Sequence, residues 1–171
     1  NLLRAINWIY EKNFMQIKEK DLLNMHLMTM KGIDVESGRF RSKHEGIFTS
    51  GGIVVYHAPP PSQIKSLLAR LLKYINSEKE EFAPIKAILA HYVFEKIHPF
   101  TDGSGRVGRL LILIILKKLG FGFKGILPFE EKIDLRRETY YRMLEEPERD
   151  VTNYLEFMLE TIKDASDEAK R

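Results

Sequence analysis

The stretch "GRLLILIILKK" at residues 108–118 constrains the fold more than any other, because positions 110–116 are apolar without a break. A helix over 106–119 that carries this run is apolar on nearly all sides, and such a helix is stable only when other elements surround it. The run is far shorter than the roughly 20 residues that span a bilayer. It therefore belongs at the centre of a folded domain, ended by Gly120. With 171 residues the chain is long enough for one core without metal or disulfide support. At 44% hydrophobic and 30% charged residues, it is too apolar for disorder and too charged for a membrane protein. A single domain is expected over 1–171, with its core at about 1–165 and a charged tail at 163–171.

Apolar residues at three- and four-residue spacing predict the surrounding helices. Leu67, Leu68, Leu71, Leu72 and Ile75 mark one, after Pro59, Pro60 and Pro61 and an N-cap at Ser62. Pro84 suits the first turn of the next, which carries Ile85, Ile88, Leu89, Tyr92, Val93 and Ile97 and must end near Pro99. Further helices are expected at 2–13, 18–30, 132–145 and 151–165, with "KDASDEAKR" frayed at the end. Only "GIFTSGGIVVYHAP" argues for strands: two β-prone runs flank Ser50, Gly51 and Gly52, and Pro59 stops the second. The result is an all-α domain, a helical bundle around a central buried helix, with one projecting β-hairpin.

Composition narrows the chemistry. The chain has no cysteine, which removes disulfides, thiolate nucleophiles and Cys-based zinc sites and is compatible with a reducing compartment. No signal peptide opens it, so a cytoplasmic location is expected. The net charge of +3 comes from 27 basic and 24 acidic residues interspersed along the chain, which disfavours nucleic-acid binding. His44, His57 and His91 lack the spacing of a zinc site.

Chemistry concentrates in "EKIHPFTDGSGRVGR", residues 95–109. His98 ends one helix, a loop with Gly103 and Gly105 follows, and the buried helix opens with Arg106. Small residues let backbone N–H groups approach an anion, and the helix adds unpaired donors and the positive end of its dipole. Arg106 and Arg109 lie three apart on one face, where two guanidiniums neutralise a polyphosphate. Asp102 suits a hard cation such as Mg²⁺, and His98 suits a general base. Each residue alone has a plainer reading: a capping histidine, a common turn, a solvated helix face, and Phe100 as a core anchor. The stretch is neither a P-loop nor an EF-hand, and its G-x-G-x-x-G follows a helix rather than a strand.

"HPFTDGSGR..R" resembles the signature of Fic-domain proteins, His-x-Phe-x-Asp/Glu-Gly-Asn-Gly-Arg-x-x-Arg. "SGRFRS", the hairpin, "APPP", "ALAHYVFEKIHPF" and "ETYYRML…VTNYLEFML" resemble Fic segments in the same order, so the likeness covers nearly the whole chain. The resemblance implies a Fic fold and protein adenylyltransferase activity: AMP moves from ATP to a Ser, Thr or Tyr hydroxyl of a target protein, and pyrophosphate leaves. It implies His98 as base, Asp102 as Mg²⁺ ligand, and Gly103, Ser104, Gly105, Arg106 and Arg109 around the phosphates. Tyr140 and Tyr141 resemble a pair bordering the adenosine end. The hairpin resembles the Fic flap, whose edge at Ile53, Val54, Val55 and Tyr56 would pair with an extended target segment.

Ser104 stands where the family usually has Asn, with one side-chain donor in place of two. Many Fic proteins are silenced by a helix whose glutamate pairs with the second arginine. In the best-matching relatives that inhibitory helix precedes the segment corresponding to Asn1 onward, so this chain is expected to be a fragment of a longer protein. Fic proteins often dimerise, which makes a homodimer an expectation too. Three functions stand side by side: adenylylation, with its reversal at the same site; transfer of another nucleotide or of phosphate; and a non-catalytic peptide- or nucleotide-binding module.

Overall fold

A computed structural model describes residues 1–48, 54–79, 82–121, 129–145 and 149–169, and every count and absence below refers to these. Eight α-helices follow in the order α1 (Leu2–Glu11), α2 (Glu19–Met30), α3 (Ile64–Ile75), α4 (Ala83–Ile97), α5 (Ser104–Lys118), α6 (Phe129–Leu135), α7 (Arg137–Glu145) and α8 (Thr152–Ala169). Strands β1 (Gly46–Phe48) and β2 (Val54–His57) lie between α2 and α3.

The apolar run is the centre of the bundle. Val107 and every residue from 110 to 116 are buried, because α4 packs along one side of α5 while α1 and α2 close others. Where α5 leaves the core, its polar end still serves the packing. Lys117 Nζ donates to the carbonyls of Ile9 at 2.7 Å, Tyr10 at 2.5 Å and Lys12 at 2.7 Å, satisfying the C-terminal acceptors of α1 with a cation.

The strands pair antiparallel, with Gly46 opposite His57, Ile47 opposite Tyr56 and Phe48 opposite Val54. The register shifts after Ile47, so β2 carries an extra residue. Ile53 and the turn at 49–53 lie outside the described residues, as do the stretch at 122–128 and residues 146–148.

Four boundaries differ from expectation. Helix α5 starts at Ser104, which places Ser104 and Gly105 in its first turn rather than in the loop. Ser62 is not a cap: residues Pro61–Gln63 form a 3₁₀ turn and α3 begins at Ile64. The segment 132–145 is two helices, because the Arg136 N–H closes a tight three-residue turn on the Ile133 carbonyl at 3.1 Å. The charged end is not frayed as far as Ala169: buried Ala165 anchors α8, while Asp164 and Glu168 reach back to Arg136 at 2.9 Å and Lys132 at 2.5 Å. No helix is long and apolar enough to cross a membrane.

Replacing Lys117 by Met leaves three carbonyls without their shared donor. Lys117→Met is expected to cost about 2–3 kcal/mol, read as a lower urea midpoint with unchanged helicity.

Candidate active site

Helix α4 delivers His98 to the site. Its N–H still bonds the Phe94 carbonyl at 3.0 Å, but its backbone has turned left-handed at φ 45° and ψ 64°. The loop that follows is pinned by Phe100, which is fully buried and stacks on His26 at 3.8 Å, with the rings 5° from parallel. The loop ends at Gly103, with φ 81°, where a Cβ would sit 2.7 Å from Met30 Sδ. Both the dihedral and the close approach require glycine.

Ser104 closes this turn rather than opening outward. Its hydroxyl accepts from the Phe100 N–H at 3.0 Å and donates to the Phe100 carbonyl at 3.1 Å, and the residue is 1% exposed. A side-chain gift to a ligand is thereby replaced by rigidity of the loop. Backbone N–H groups at the start of α5, together with the helix dipole, are the groups suited to receive an anion.

Asp102 is exposed at the lip, its Oδ1 accepting the Gly103 N–H at 2.6 Å. No group of three His, Asp or Glu is assembled for a metal. A cation here would be of the kind held by one carboxylate with water and substrate oxygens, which is how Mg²⁺ binds. The backbone of Asp102 is held from α2: the Gly38 N–H donates to His26 Nδ1 at 2.8 Å, so Nε2 carries the proton and donates to the Asp102 carbonyl at 2.9 Å. Burial pushes the His26 pKa down, in keeping with this neutral tautomer.

The two arginines occupy different surroundings. Arg106 touches Met30 Sδ through Nη1 at 2.8 Å and has no carboxylate within salt-bridge distance. Arg109 donates through Nε to Glu130 Oε2 on α6 at 2.7 Å. Burial alone would lower the Arg109 pKa, but Glu130, Tyr140 and Glu95 outweigh it and raise it. Burial pushes the Glu130 carboxyl up while Arg109 opposes it. At a separation of 2.7 Å the pair is best described as ionic.

A buried polar cluster lies behind Arg109. His91 Nδ1 bonds the Tyr154 hydroxyl at 2.5 Å, and His91 Nε2 bonds the Tyr140 hydroxyl at 3.1 Å. Burial, with a smaller push from Arg109, lowers the His91 pKa to about 3. Glu95 is 7% exposed, its Oε1 makes no hydrogen bond, and burial raises its carboxyl pKa to about 7 against the opposing pull of Arg109. That oxygen fits only because residue 108 is glycine, since a Cβ there would lie 2.1 Å from it.

His98 is half-buried. Burial, then the nearby Arg41 charge, lowers its pKa, while the Glu95 carbonyl and Asp102 act the other way. Its Nδ1 is buried without a well-formed hydrogen bond. The ring is therefore neutral at neutral pH.

The fold brings His98, Asp102, Gly103, Ser104, Gly105, Arg106 and Arg109 to one corner of the bundle. Tyr140 is 1% exposed and bonded to His91, whereas Tyr141 is 48% exposed, so only Tyr141 has a ring open to a ligand. Val54 and Val55 lie in β2 with Tyr56. His26, Arg41, Glu95 and Glu130 were not singled out by sequence. Glu95 lay within reach of such reasoning, three residues before His98 and so on the same helical face.

A two-helix turn carrying a neutral histidine, an exposed carboxylate and two arginines at a helix N-terminus defines the class. The Fic/DOC family model matches residues 16–116, and the chain belongs to that family. Among its relatives, the protein named protein adenylyltransferase Fic from Drosophila ananassae is 32% identical over 158 residues, covering 90% of this chain. The chain spans only 29% of that relative's length. A solved Fic family protein from Desulfovibrio desulfuricans superposes with a TM-score of 0.82 at 36% identity, covering 98% of this chain and 50% of that one. Fic-1 from C. elegans superposes with a TM-score of 0.75 at 25% identity, covering 98% and 48% respectively.

Two predictions concern this corner. Gly103→Ala forces a left-handed β-carbon against Met30 and is expected to cost about 2–4 kcal/mol in a urea titration. The second concerns pH. The native state keeps a proton on Glu95 up to about pH 7, against an ordinary carboxyl value of 4.5, so its contribution is full below 4.5 and lost as pH rises through 7. His91, depressed from 6.5 to about 3, works oppositely: its contribution is present above 6.5 and lost as pH falls through 3. Glu95→Gln removes the loss on the alkaline side alone, so it should gain about 1–3 kcal/mol on the wild type between pH 5 and 8. Melting temperatures across that range check the sign.

Proposed function

We propose that this domain is a protein adenylyltransferase. The observation that carries the reading is a half-buried His98, on a left-handed turn just before a helix N-terminus where Arg106 has no carboxylate partner. An acceptor hydroxyl gives its proton to His98, through Nε2 because Nδ1 is buried. The hydroxyl oxygen then attacks the α-phosphorus of ATP, the bond from that phosphorus to the bridging oxygen breaks, and pyrophosphate leaves with the electron pair. The N–H groups opening α5, Arg106 and Arg109 hold the phosphates, and half-exposed Tyr141 flanks the nucleoside. The Asp102 carboxylate would hold a Mg²⁺ of the single-carboxylate kind, which would supply charge neutralisation to the phosphates. The protein substrate pairs its backbone with the edge of β2 at residues 54–56, which brings a Ser, Thr or Tyr hydroxyl to His98. Removal of AMP uses the same residues: water attacks the phosphorus, the bond to the target oxygen breaks, and that oxygen takes up a proton while AMP leaves.

Arg109 shapes affinity in this reading. A polyphosphate must take Arg109 from Glu130 at 2.7 Å, so it binds against an existing ion pair. Glu130→Gln is expected to tighten ATP binding about 5- to 10-fold, measured by isothermal titration.

The activity is tested with α-labelled and γ-labelled ATP, Mg²⁺ and cell lysate, beside His98→Ala. The α-label should appear on protein only with intact His98, with a rate loss of about 100-fold or more in the variant. Transfer of the γ-label would instead identify a kinase, and transfer of neither would identify a binding module.

A further inference from the structure

The segment "SGRFRS" places one cation at the back of the site. Arg41 is 3% exposed, yet all three nitrogens of its guanidinium donate to carbonyls. Nε donates to the His98 carbonyl at 2.7 Å, Nη1 to the Lys43 carbonyl at 2.8 Å, and Nη2 to the carbonyls of Pro59 at 2.6 Å and Ile97 at 3.3 Å. The Arg41 N–H bonds the Pro99 carbonyl at 2.9 Å. The side chain therefore joins the last carbonyls of α4 to residues on both sides of the hairpin.

His98 has the one positive φ among the described non-glycine residues. A β-carbon in that conformation is strained and persists only where neighbours hold it. The shortest Arg41 contact to α4 falls on the carbonyl of His98 itself. The Pro99 contact fixes the next peptide, so the turn is held on both sides of the strained residue. The other two carbonyls belong to the base of the hairpin: Lys43 precedes β1 and Pro59 follows β2, and the Ala58 N–H to Glu45 carbonyl bond at 3.1 Å closes the strands there. Lysine would not substitute, because it lacks the planar fork that reaches several carbonyls in fixed directions.

We propose that Arg41 is the positioning residue of the site: it sets the left-handed turn that aims the His98 ring and locks that turn to the base of the hairpin, so that acceptor edge and base are held in one frame. The proposal rests on His98 being the base. Arg41 touches only the backbone of residue 98, so its effect on chemistry runs through geometry and through its charge. The groups facing the His98 ring electrostatically are Arg41 from the segment before the hairpin, Asp102 from the loop and the Glu95 carbonyl from α4.

The test reads the free protein by NMR, without nucleotide or metal, and then its kinetics. In the wild type the Arg41 Nε–H should exchange as slowly as the His98 amide; free exchange would overturn the proposal without any variant. Arg41→Lys should keep the ring titration of His98 near the wild-type value, because the charge remains, while shifting the His98 and Pro99 backbone resonances. Arg41→Gln should raise the titration of the ring. In both, kcat for α-label transfer should fall about 10-fold or more with KM for ATP changed less than about 3-fold, the mark of lost orientation rather than lost binding. Variants that only melt earlier, with unchanged His98 resonances and kcat, would reduce Arg41 to a structural cap and overturn the proposal. If α-label transfer survives His98→Ala, the assignment of His98 as the base fails, while the NMR coupling of Arg41 to the turn stands or falls separately.

Discussion

The burial of Phe100 between α2 and α4 is the contact on which the rest of the site depends. Its ring stacks on His26, and Phe40 and Phe94 flank it at 5.5 and 6.3 Å. With that side chain fixed, the residues before and after it have little freedom. Ser104 bonds both backbone groups of Phe100, Gly103 closes onto Met30, and α5 starts at a set point. The buried helix then makes the site rigid, because its first turn cannot move without disturbing a core that includes every residue from 110 to 116.

Electrostatic roles are divided among groups that look equivalent in sequence. Arg106 has no carboxylate partner within salt-bridge distance, while Arg109 is paired with Glu130 and backed by Glu95, Tyr140 and His91. His98 is neutral because it is half-buried beside a cation, whereas Asp102 is exposed. The groups proposed as base, cation ligand and anion cradle are thus set apart by solvent access more than by residue type.

The bundle was legible in sequence because its signals are local. An uninterrupted apolar run must be buried, and the spacing of Leu67, Leu68, Leu71 and Ile75 or of Ile88, Tyr92 and Ile97 reports faces of regular helices. Boundaries that depend on tertiary partners were not legible: α8 continues to Ala169 because Lys132 of α6 and Arg136 just after it supply cations, and Arg136 breaks the expected 132–145 helix. In the site, the motif residues could be read together. Residues that hold the motif from other elements could not, because nothing local marks His26, Arg41 or Glu130 as neighbours of the loop. The inward turn of the Ser104 hydroxyl was likewise hidden, since it depends on where Phe100 lies.

In the proposed function a preformed corner between α4 and α5 receives a nucleotide's phosphates and presents the α-phosphorus to His98. A crystal structure of the domain with Mg²⁺ and a non-hydrolysable ATP analogue tests this directly. The account predicts phosphates on the N–H groups at the start of α5, Arg109 turned from Glu130 to the phosphate tail, and the α-phosphorus opposite His98 in line with its bond to the leaving pyrophosphate. A nucleotide bound elsewhere, or one whose α-phosphorus faces away from His98, would contradict it.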